Sequence, residues 1–92
     1  RKRLPEKFIL YQNYPNPFNS STTIPYHLNI PGDVELSIYD ITGRELLRIV
    51  KKKQQPGSDT VRLDMSDYSS GLYLYQLRVG KNSQTKKFLF IQ

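Results

Sequence analysis

Two prolines separated by one residue, Pro15 and Pro17, constrain this chain more than any other feature. A proline fixes its own φ at about −65° and has no backbone N–H donor, and it pushes the preceding residue towards extended geometry. The stretch around them therefore cannot be a helix and is a poor central strand. It predicts a rigid, irregular segment with Tyr14 and Phe18 as apolar anchors and with asparagines that cap and turn the chain. We call this segment the plug; it consists of Tyr14, Pro15, Asn16, Pro17, Phe18 and Asn19.

The rest of the chain is divided into short stretches in which apolar and polar residues alternate. The clearest is residues 34–39, where Val34, Leu36 and Ile38 share one face. Comparable stretches occupy residues 8–11, 22–28, 45–50, 60–65, 72–79 and 85–91, with turn signals along the chain between them. None of them has the period of an amphipathic helix. The pattern predicts an all-β fold, a seven-stranded antiparallel Ig/fibronectin III-like β-sandwich.

Three positions in the strands carry more specific expectations. Asp40 and Gly43 are the first and fourth residues of a predicted type I turn, which joins two strands as a hairpin. Leu46 and Leu47 are adjacent apolar residues in the second arm, so either a bulge intervenes or both faces are covered. Pro25 has no N–H and cannot donate a hydrogen bond to a neighbouring strand. This favours an edge strand, or a position at which the N–H of another residue would point away from the sheet.

The C-terminal third carries expectations of its own. Residues 66–71 are predicted to form a corner, after which Tyr73 resembles the tyrosine corner of such sandwiches, where a hydroxyl bonds back to upstream backbone. Asp64 and Asp67 flank this corner and are expected to cap it, the less common alternative being a Ca²⁺ site. Residues 85–91 are apolar on both faces, which predicts a central or covered strand.

Composition limits the classes of function. The 92 residues suit one domain, and the absence of cysteine excludes disulfides, cysteine metal sites and thiol nucleophiles. No apolar run approaches the roughly 20 residues that span a bilayer. The net charge of +6 is interpreted as lysines in solvated loops and strand edges rather than a nucleic-acid surface. Residues 1–7 are expected to be a linker from an upstream cargo, and residues 8–92 a single domain.

No set of residues has the arrangement of an active site. His27 is the only histidine and falls within a predicted strand, and the serines near the corner have no general base beside them. We therefore expect no enzyme activity, no metal and no cofactor. Exposed tyrosines could stack on sugars, although core or sheet packing is favoured; the residues considered are Tyr11, Tyr39 and Tyr75. A structural or adhesive Ig-like module therefore stays open, such as a surface fibre contact or an accessory carbohydrate-binding domain of a secreted enzyme, with self-association through edge strands.

Four ordered blocks, however, resemble a known family. They are residues 10–24 around the plug, residues 34–44 ending in Asp40, Gly43 and Arg44, residues 70–77 with a Gly-x-Tyr sequence, and the basic-apolar residues 86–91. Together they resemble the type A C-terminal sorting domains of the type IX (Por) secretion system. The chain is also similar to the Ig-like domain of flagellar hook-capping proteins. It departs from the family pattern at Tyr68, and it ends in Ile91 and Gln92 where members commonly end in Lys or Arg.

The resemblance implies a function. Such a domain sits at the C-terminus of a secreted precursor, passes through the periplasm and is recognised by the outer-membrane translocon. A sortase-like peptidase then removes it, and the cargo is attached to the cell surface or released outside the cell. The domain itself is not an enzyme. Within the family, recognition is associated with the Gly-x-Tyr block and the last strand, which here correspond to Gly71, Tyr73, Lys86, Lys87, Phe88 and Phe90.

Overall fold

The structure, a computed structural model, describes residues 7–92 and confirms the predicted all-β fold. Most of the expected linker, residues 1–6, lies outside the described part. The seven strands are β1 (Phe8–Leu10), β2 (Ser21–Leu28), β3 (Gly32–Tyr39), β4 (Glu45–Gln54), β5 (Gly57–Asp64), β6 (Gly71–Val79) and β7 (Asn82–Phe90).

The strands form two antiparallel sheets that pack as a sandwich. The three-stranded sheet has the order β1-β2-β5, and the four-stranded sheet has the order β4-β3-β6-β7. The edges β1 and β7 contact one another along one side of the sandwich. The edges β4 and β5 meet on the opposite side, where the Lys51 ammonium lies 3.2 Å from the Asp59 carboxylate. The predicted seven-stranded antiparallel sandwich is therefore confirmed.

The core is built from the side chains at every second position of the strands, which face inwards. Successive side chains of a strand point to opposite faces, and the faces predicted from residues 34–39, 60–65 and 72–79 are all buried. Tyr75 is completely buried, so it is a core residue and not an exposed ring for sugar stacking. The buried apolar residues are Phe8, Leu10, Phe18, Ile24, Tyr26, Leu28, Val34, Leu36, Ile38, Val61, Leu63, Met65, Tyr73, Tyr75, Leu77, Val79, Phe88 and Phe90.

The β3–β4 hairpin has the predicted turn. The Gly43 N–H donates to the Asp40 carbonyl at 3.0 Å, and Gly43 has a φ of 88°, which glycine adopts without a steric cost. The Asp40 carboxylate accepts from the Thr42 N–H and the Arg44 N–H at 2.9 and 3.1 Å, and it forms an ion pair with the Arg44 guanidinium. The register then shifts by one residue, since Ile38 pairs with Leu47 but Tyr39 pairs with Glu45. The bulge alternative is therefore correct.

Pro25 does not lie in an edge strand, so that alternative was wrong. It belongs to β2, the central strand of its sheet, beside the point where β1 has ended. The Tyr11 N–H donates to the Pro25 carbonyl at 3.1 Å, but proline has no N–H to return to the Tyr11 carbonyl. The Tyr75 hydroxyl replaces it, donating to the Tyr11 carbonyl at 2.9 Å while accepting from the Asn13 N–H at 3.0 Å. Burial raises the pKa of this hydroxyl to about 12.

Side chains close both open sides of the sandwich. On one side, the Gln84 amide of β7 accepts from the Leu10 N–H at 2.9 Å and donates to the Phe8 carbonyl at 2.8 Å. On the other side, the Lys51 ammonium of β4 donates to the Thr60 carbonyl of β5 at 3.0 Å. These hydrogen bonds occupy backbone groups on the outer edges of β1 and β5. Left unpaired, such groups can form hydrogen bonds with a strand of another chain.

The buried hydroxyl of Tyr75 is expected to contribute measurably to stability. In Tyr75→Phe, the Tyr11 carbonyl and the Asn13 N–H both lose a partner inside the domain. An unsatisfied buried polar group costs about 1–3 kcal/mol, so we expect the free energy of unfolding to fall by at least that amount in urea titrations. Tyr39→Phe is the matched control, since the Tyr39 hydroxyl makes no hydrogen bond within residues 7–92. Equal stability of the two variants would contradict the role of this hydroxyl.

The turn carboxylates predict that stability falls in acid. Hydrogen bonds hold the pKa of Asp40 and Asp64 below 3.8, mainly through the hydroxyls of Thr42 and Ser66. A carboxyl with a lowered folded-state pKa adds stability above its unfolded pKa and loses it as pH falls through the folded value. The urea midpoint should therefore decline from about pH 4 downwards. The double variant Asp40→Asn/Asp64→Asn should show a shallower decline, and an identical pH profile would count against the prediction.

Candidate recognition surface

The β6–β7 hairpin carries all six residues that the family resemblance associates with recognition. Gly71 pairs with Phe90, Tyr73 with Phe88 and Tyr75 with Lys86. This register places five of the six within four adjacent rows at one end of the four-stranded sheet, and Lys86 lies in the next row. Tyr73, Phe88 and Phe90 are buried, Gly71 and Lys86 are half-buried, and Lys87 is exposed. The set therefore divides into three core residues and three residues that are at least partly open to solvent.

Aromatic rings join the plug to this hairpin. The Phe18 ring lies 5.1 Å from the Phe88 ring and 5.2 Å from the Phe90 ring, measured between centroids. Phe88 also lies 5.6 Å from Tyr73 and 5.9 Å from Tyr75. Such tilted and stacked pairs add about 0.5–1.5 kcal/mol each beyond the burial of apolar area. Phe88 is thus the centre of a cluster to which both ends of the chain contribute.

The plug also covers the outer backbone edge of β7. The Phe18 N–H donates to the Leu89 carbonyl at 3.3 Å, and the Ile91 N–H donates to the Phe18 carbonyl at 2.9 Å. The Leu89 N–H donates to the Asn16 side chain at 3.0 Å. Before the plug, the Gln12 amide donates to the Lys87 carbonyl at 2.8 Å. Of the two alternatives given for the last strand, central or covered, the central position was wrong, because β7 is an edge strand. Its edge is covered by the plug rather than paired with another strand.

A buried polar network supports the plug from the inside. The Asn13 amide donates to the Pro15 carbonyl and to the Thr22 hydroxyl, both at 3.1 Å. The Thr22 hydroxyl donates to the same Pro15 carbonyl at 2.8 Å. The capping role predicted for the asparagines is confirmed for Asn13, and Asn16 bonds to the last strand. Thr22 and Gln12 were not predicted, because a long-range bond by a polar strand or loop residue leaves no periodic signal.

Tyr14, in contrast, is not an anchor, and this part of the prediction was wrong. Its backbone pairs with Thr23 through two hydrogen bonds of 2.9 and 3.0 Å, yet 80% of the residue is exposed. Cross-strand partners place their side chains on the same face. Because the inner face at this point is taken by Thr22, which is buried, Tyr14 is left on the outer face. Phe18 is the buried anchor of the plug.

The corner before β6 is held by Tyr73 and by the last residue. The Tyr73 hydroxyl donates to the Ser69 carbonyl, which confirms the predicted tyrosine corner. The Gln92 amide donates to the Ser66 and Tyr68 carbonyls at 3.0 and 3.2 Å. Asp64 caps the start of the corner, accepting from the Ser66 N–H at 2.9 Å. The described residues contain no group of acidic or histidine side chains arranged to hold a metal ion.

The charge of the hairpin is of one sign. Residues 68–92 contain no aspartate or glutamate. Within the described chain, the ion pairs belong to Arg44, Arg48 and Lys51. The cations of the hairpin form no ion pair with residues 7–92. These cations are Arg78, Lys81, Lys86 and Lys87. The hairpin is therefore a cationic surface, in which the positive potential is not neutralised by neighbours.

The fold and this surface define an Ig-like module closed at one end by its own N-terminal segment. A family model described as the secretion system C-terminal sorting domain matches residues 12–92. The chain therefore belongs to the C-terminal sorting domains of the type IX (Por) secretion system, and the resemblance is confirmed. Domains of this family are generally not catalytic, and they belong to secreted proteins that reach the cell surface or the medium. In residues 7–92, no helix could cross a bilayer.

Solved structures contain similar domains. One is in PorZ, described as an essential surface component of the type IX secretion system of Porphyromonas gingivalis, with a TM-score of 0.64 and 25% identity over 90% of this chain and 11% of PorZ. Another is in a β-glucuronidase of Parabacteroides merdae, with a TM-score of 0.55 and 11% identity over 91% of this chain and 13% of the enzyme. The second likeness concerns the fold alone. No curated protein matches the chain.

Truncation of the two aromatic residues of the plug is expected to change the stability of the domain by very different amounts. Phe18→Ala removes a ring that is 5% exposed and packed on Phe88 and Phe90, and we expect a loss of roughly 3–5 kcal/mol in the free energy of unfolding. Tyr14→Ala removes a ring that is mostly in solvent, and it should stay within about 0.5 kcal/mol of the parent. Urea denaturation of the two variants is the measurement, and an unaffected Phe18→Ala variant would contradict the packing role of the plug.

Proposed function

We propose that this domain is the non-catalytic C-terminal sorting signal of a secreted precursor. It directs the precursor from the periplasm across the bacterial outer membrane through the type IX secretion system, by binding the translocon. A sortase-like peptidase then cleaves it from a cargo that is attached to the surface or released. The observation that carries this proposal is the family match over residues 12–92. The similar domain in PorZ supports it.

The six recognition residues have two separate roles in this proposal. Lys86 and Lys87 contact the translocon, because the exposed Lys87 and the half-buried Lys86 have no ion-pair partner within residues 7–92. Tyr73, Phe88 and Phe90 act through the fold, since their rings lie in the core. They hold β7 in the register that places the lysines at the surface. Gly71 opens β6 directly opposite Phe90 and belongs to the same framework.

The arrangement of the chain keeps the cargo away from the recognition end. Lys7, where the linker joins the domain, lies in an open groove with residues 30–33 and 79–82. The plug and Ile91 lie at the other end of the nine-residue strand β7. At about 3.3 Å per residue, the two ends are about 25 Å apart. A cargo upstream of residues 1–7 therefore joins the domain at the end opposite the plug.

The alternative of an adhesive module that adds strands at its edges receives less support. The plug occupies the edge of β7, the Gln84 side chain that of β1, and the Lys51 side chain bonds to β5. A second copy that paired with these edges would have to displace bonds already made. Sedimentation equilibrium over a range of concentrations tests self-association, and a stable dimer would favour the adhesive function.

Export of a fusion protein tests the proposed function. A fluorescent protein that carries an inner-membrane export signal at its N-terminus and residues 1–92 at its C-terminus, in a host that has the secretion system, should appear at the cell surface or in the medium. The same fusion without residues 1–92 should stay inside the cell. Removal of residues 86–92 takes away Phe88, Phe90 and the contacts of Phe18, so this fusion should also be retained. Retention of the complete fusion, or full export without residues 86–92, would contradict the proposal.

A further inference from the structure

The outer face of the β6–β7 hairpin carries an apolar area next to its lysines. Leu72 of β6 pairs directly with Leu89 of β7, and both leucines are exposed, at 44% and 39%. The next row across the sheet is formed by Tyr39, Leu74 and Lys87. We call the four apolar residues of these rows, Tyr39, Leu72, Leu74 and Leu89, the outer patch.

The outer patch differs from the rest of the same face. The following row contains Ser37, Gln76 and Thr85, and the row after it contains Glu35, Arg78 and Ser83. An antiparallel sheet with one solvated face normally shows such polar residues there. Val50 of β4 is also exposed on this face, but it pairs with Glu35, three rows away from Leu72 and Leu89, and Ile41 lies in the β3–β4 turn. The apolar residues are thus concentrated at the end of the sheet where the plug and the last residues lie.

The charges around the outer patch indicate what can cover it. Lys87 belongs to the patch's own row, and Arg78 lies on the same face of β6. Neither makes an ion pair within residues 7–92, since Glu35, which pairs with Arg78 across the strands, binds Arg48 instead. The carboxylates nearest the patch are both occupied. Glu45, which pairs with Tyr39 across β3 and β4, forms an ion pair with Arg48, and Asp40 is bound to Thr42 and Arg44 of its own turn. The complementary surface is therefore apolar and bordered by carboxylates.

We propose that the outer patch and Lys87 bind an apolar groove bordered by carboxylates on a protein of the secretion machinery. This inference rests on the proposed function and names the surface through which it acts. A protein groove fits better than a lipid surface, because segments that bind membranes bury a whole apolar face about 5–10 Å deep. The leucines here lie flush in a rigid sheet, with more than half of each covered by its neighbours.

Substitutions on the outer patch test the apolar contact. Leu72→Thr/Leu89→Thr keeps residues that favour strands, and its export in the fluorescent fusion should fall on the order of tenfold, as for the loss of interface anchors. Ile41→Thr/Val50→Thr is the control, since both residues are exposed and lie outside the outer patch, Ile41 in the β3–β4 turn and Val50 three rows away on the same face. It should be exported like the parent. The melting temperature of each purified domain shows whether the substitution acts on folding instead.

Charge variants test the contribution of Lys87 without changing a core residue. Lys87→Glu should reduce export by a similar factor, whereas Lys87→Arg should keep it. Lys52→Glu, in an exposed position of β4, is the control and should have no effect. If Lys87→Glu and the leucine variant are exported like the parent, the inference is wrong although the proposed function stands. If the parent fusion itself is retained, the proposed function fails.

Vesicle binding separates a protein partner from a lipid surface. Vesicles of phosphatidylethanolamine and phosphatidylglycerol provide the anionic membrane, and flotation with the purified domain gives the bound fraction. We expect no binding that depends on Leu72 and Leu89. Binding by the parent that is lost in Leu72→Thr/Leu89→Thr would identify a lipid-docking face and overturn the proposal of a protein partner.

Discussion

The edge of the last strand is the constraint on which the rest of this structure depends. An edge strand exposes a row of backbone donors and acceptors that can pair with another chain. The plug satisfies this row with the backbone of Phe18 and the side chain of Asn16, and the side chain of Gln12, just before the plug, adds a further bond. Because Pro15 and Pro17 have no N–H, the covering segment cannot become a regular strand and presents no complete ladder of its own. The sheet therefore ends at β7, and the same contact brings the Phe18 ring into the core.

This closure brings into contact the family's sequence blocks, which are far apart in the chain. The plug, the Gly-x-Tyr block and the last strand meet at Phe88, which contacts Phe18, Tyr73 and Tyr75. A residue of these blocks can be necessary for sorting without touching the secretion machinery, because it is needed to form β7. In the proposed function the signal is a folded surface, which a linear peptide of the same residues lacks. The residues that a partner can reach are the ones between the buried positions, such as Lys87 and Leu89.

The fold was predictable from the sequence because each strand has one buried face. Period-two alternation specifies which residues face inwards, and Val34, Val61 and Tyr73 follow it. The same pattern does not specify the neighbour of a strand in its sheet. For this reason the edge position considered for β2 and the central position considered for β7 were wrong. The exposure of Tyr14 was mispredicted as well, because its orientation depends on its pairing with Thr23. The bonds of Gln12 and Gln84 join residues about 75 positions apart in the chain, and no local pattern records them.

The last residue shows how a departure from the family pattern can preserve a structural role. Gln92 donates to the carbonyls of Ser66 and Tyr68, which the corner leaves without strand partners. The side-chain amide of Gln92 thus closes the corner without adding a charge. The positive charge at this end of the hairpin then comes from Lys86 and Lys87. Of the two, Lys87 lies beside Leu74 on the outer face, and the β6–β7 register that fixes its place does not depend on Gln92.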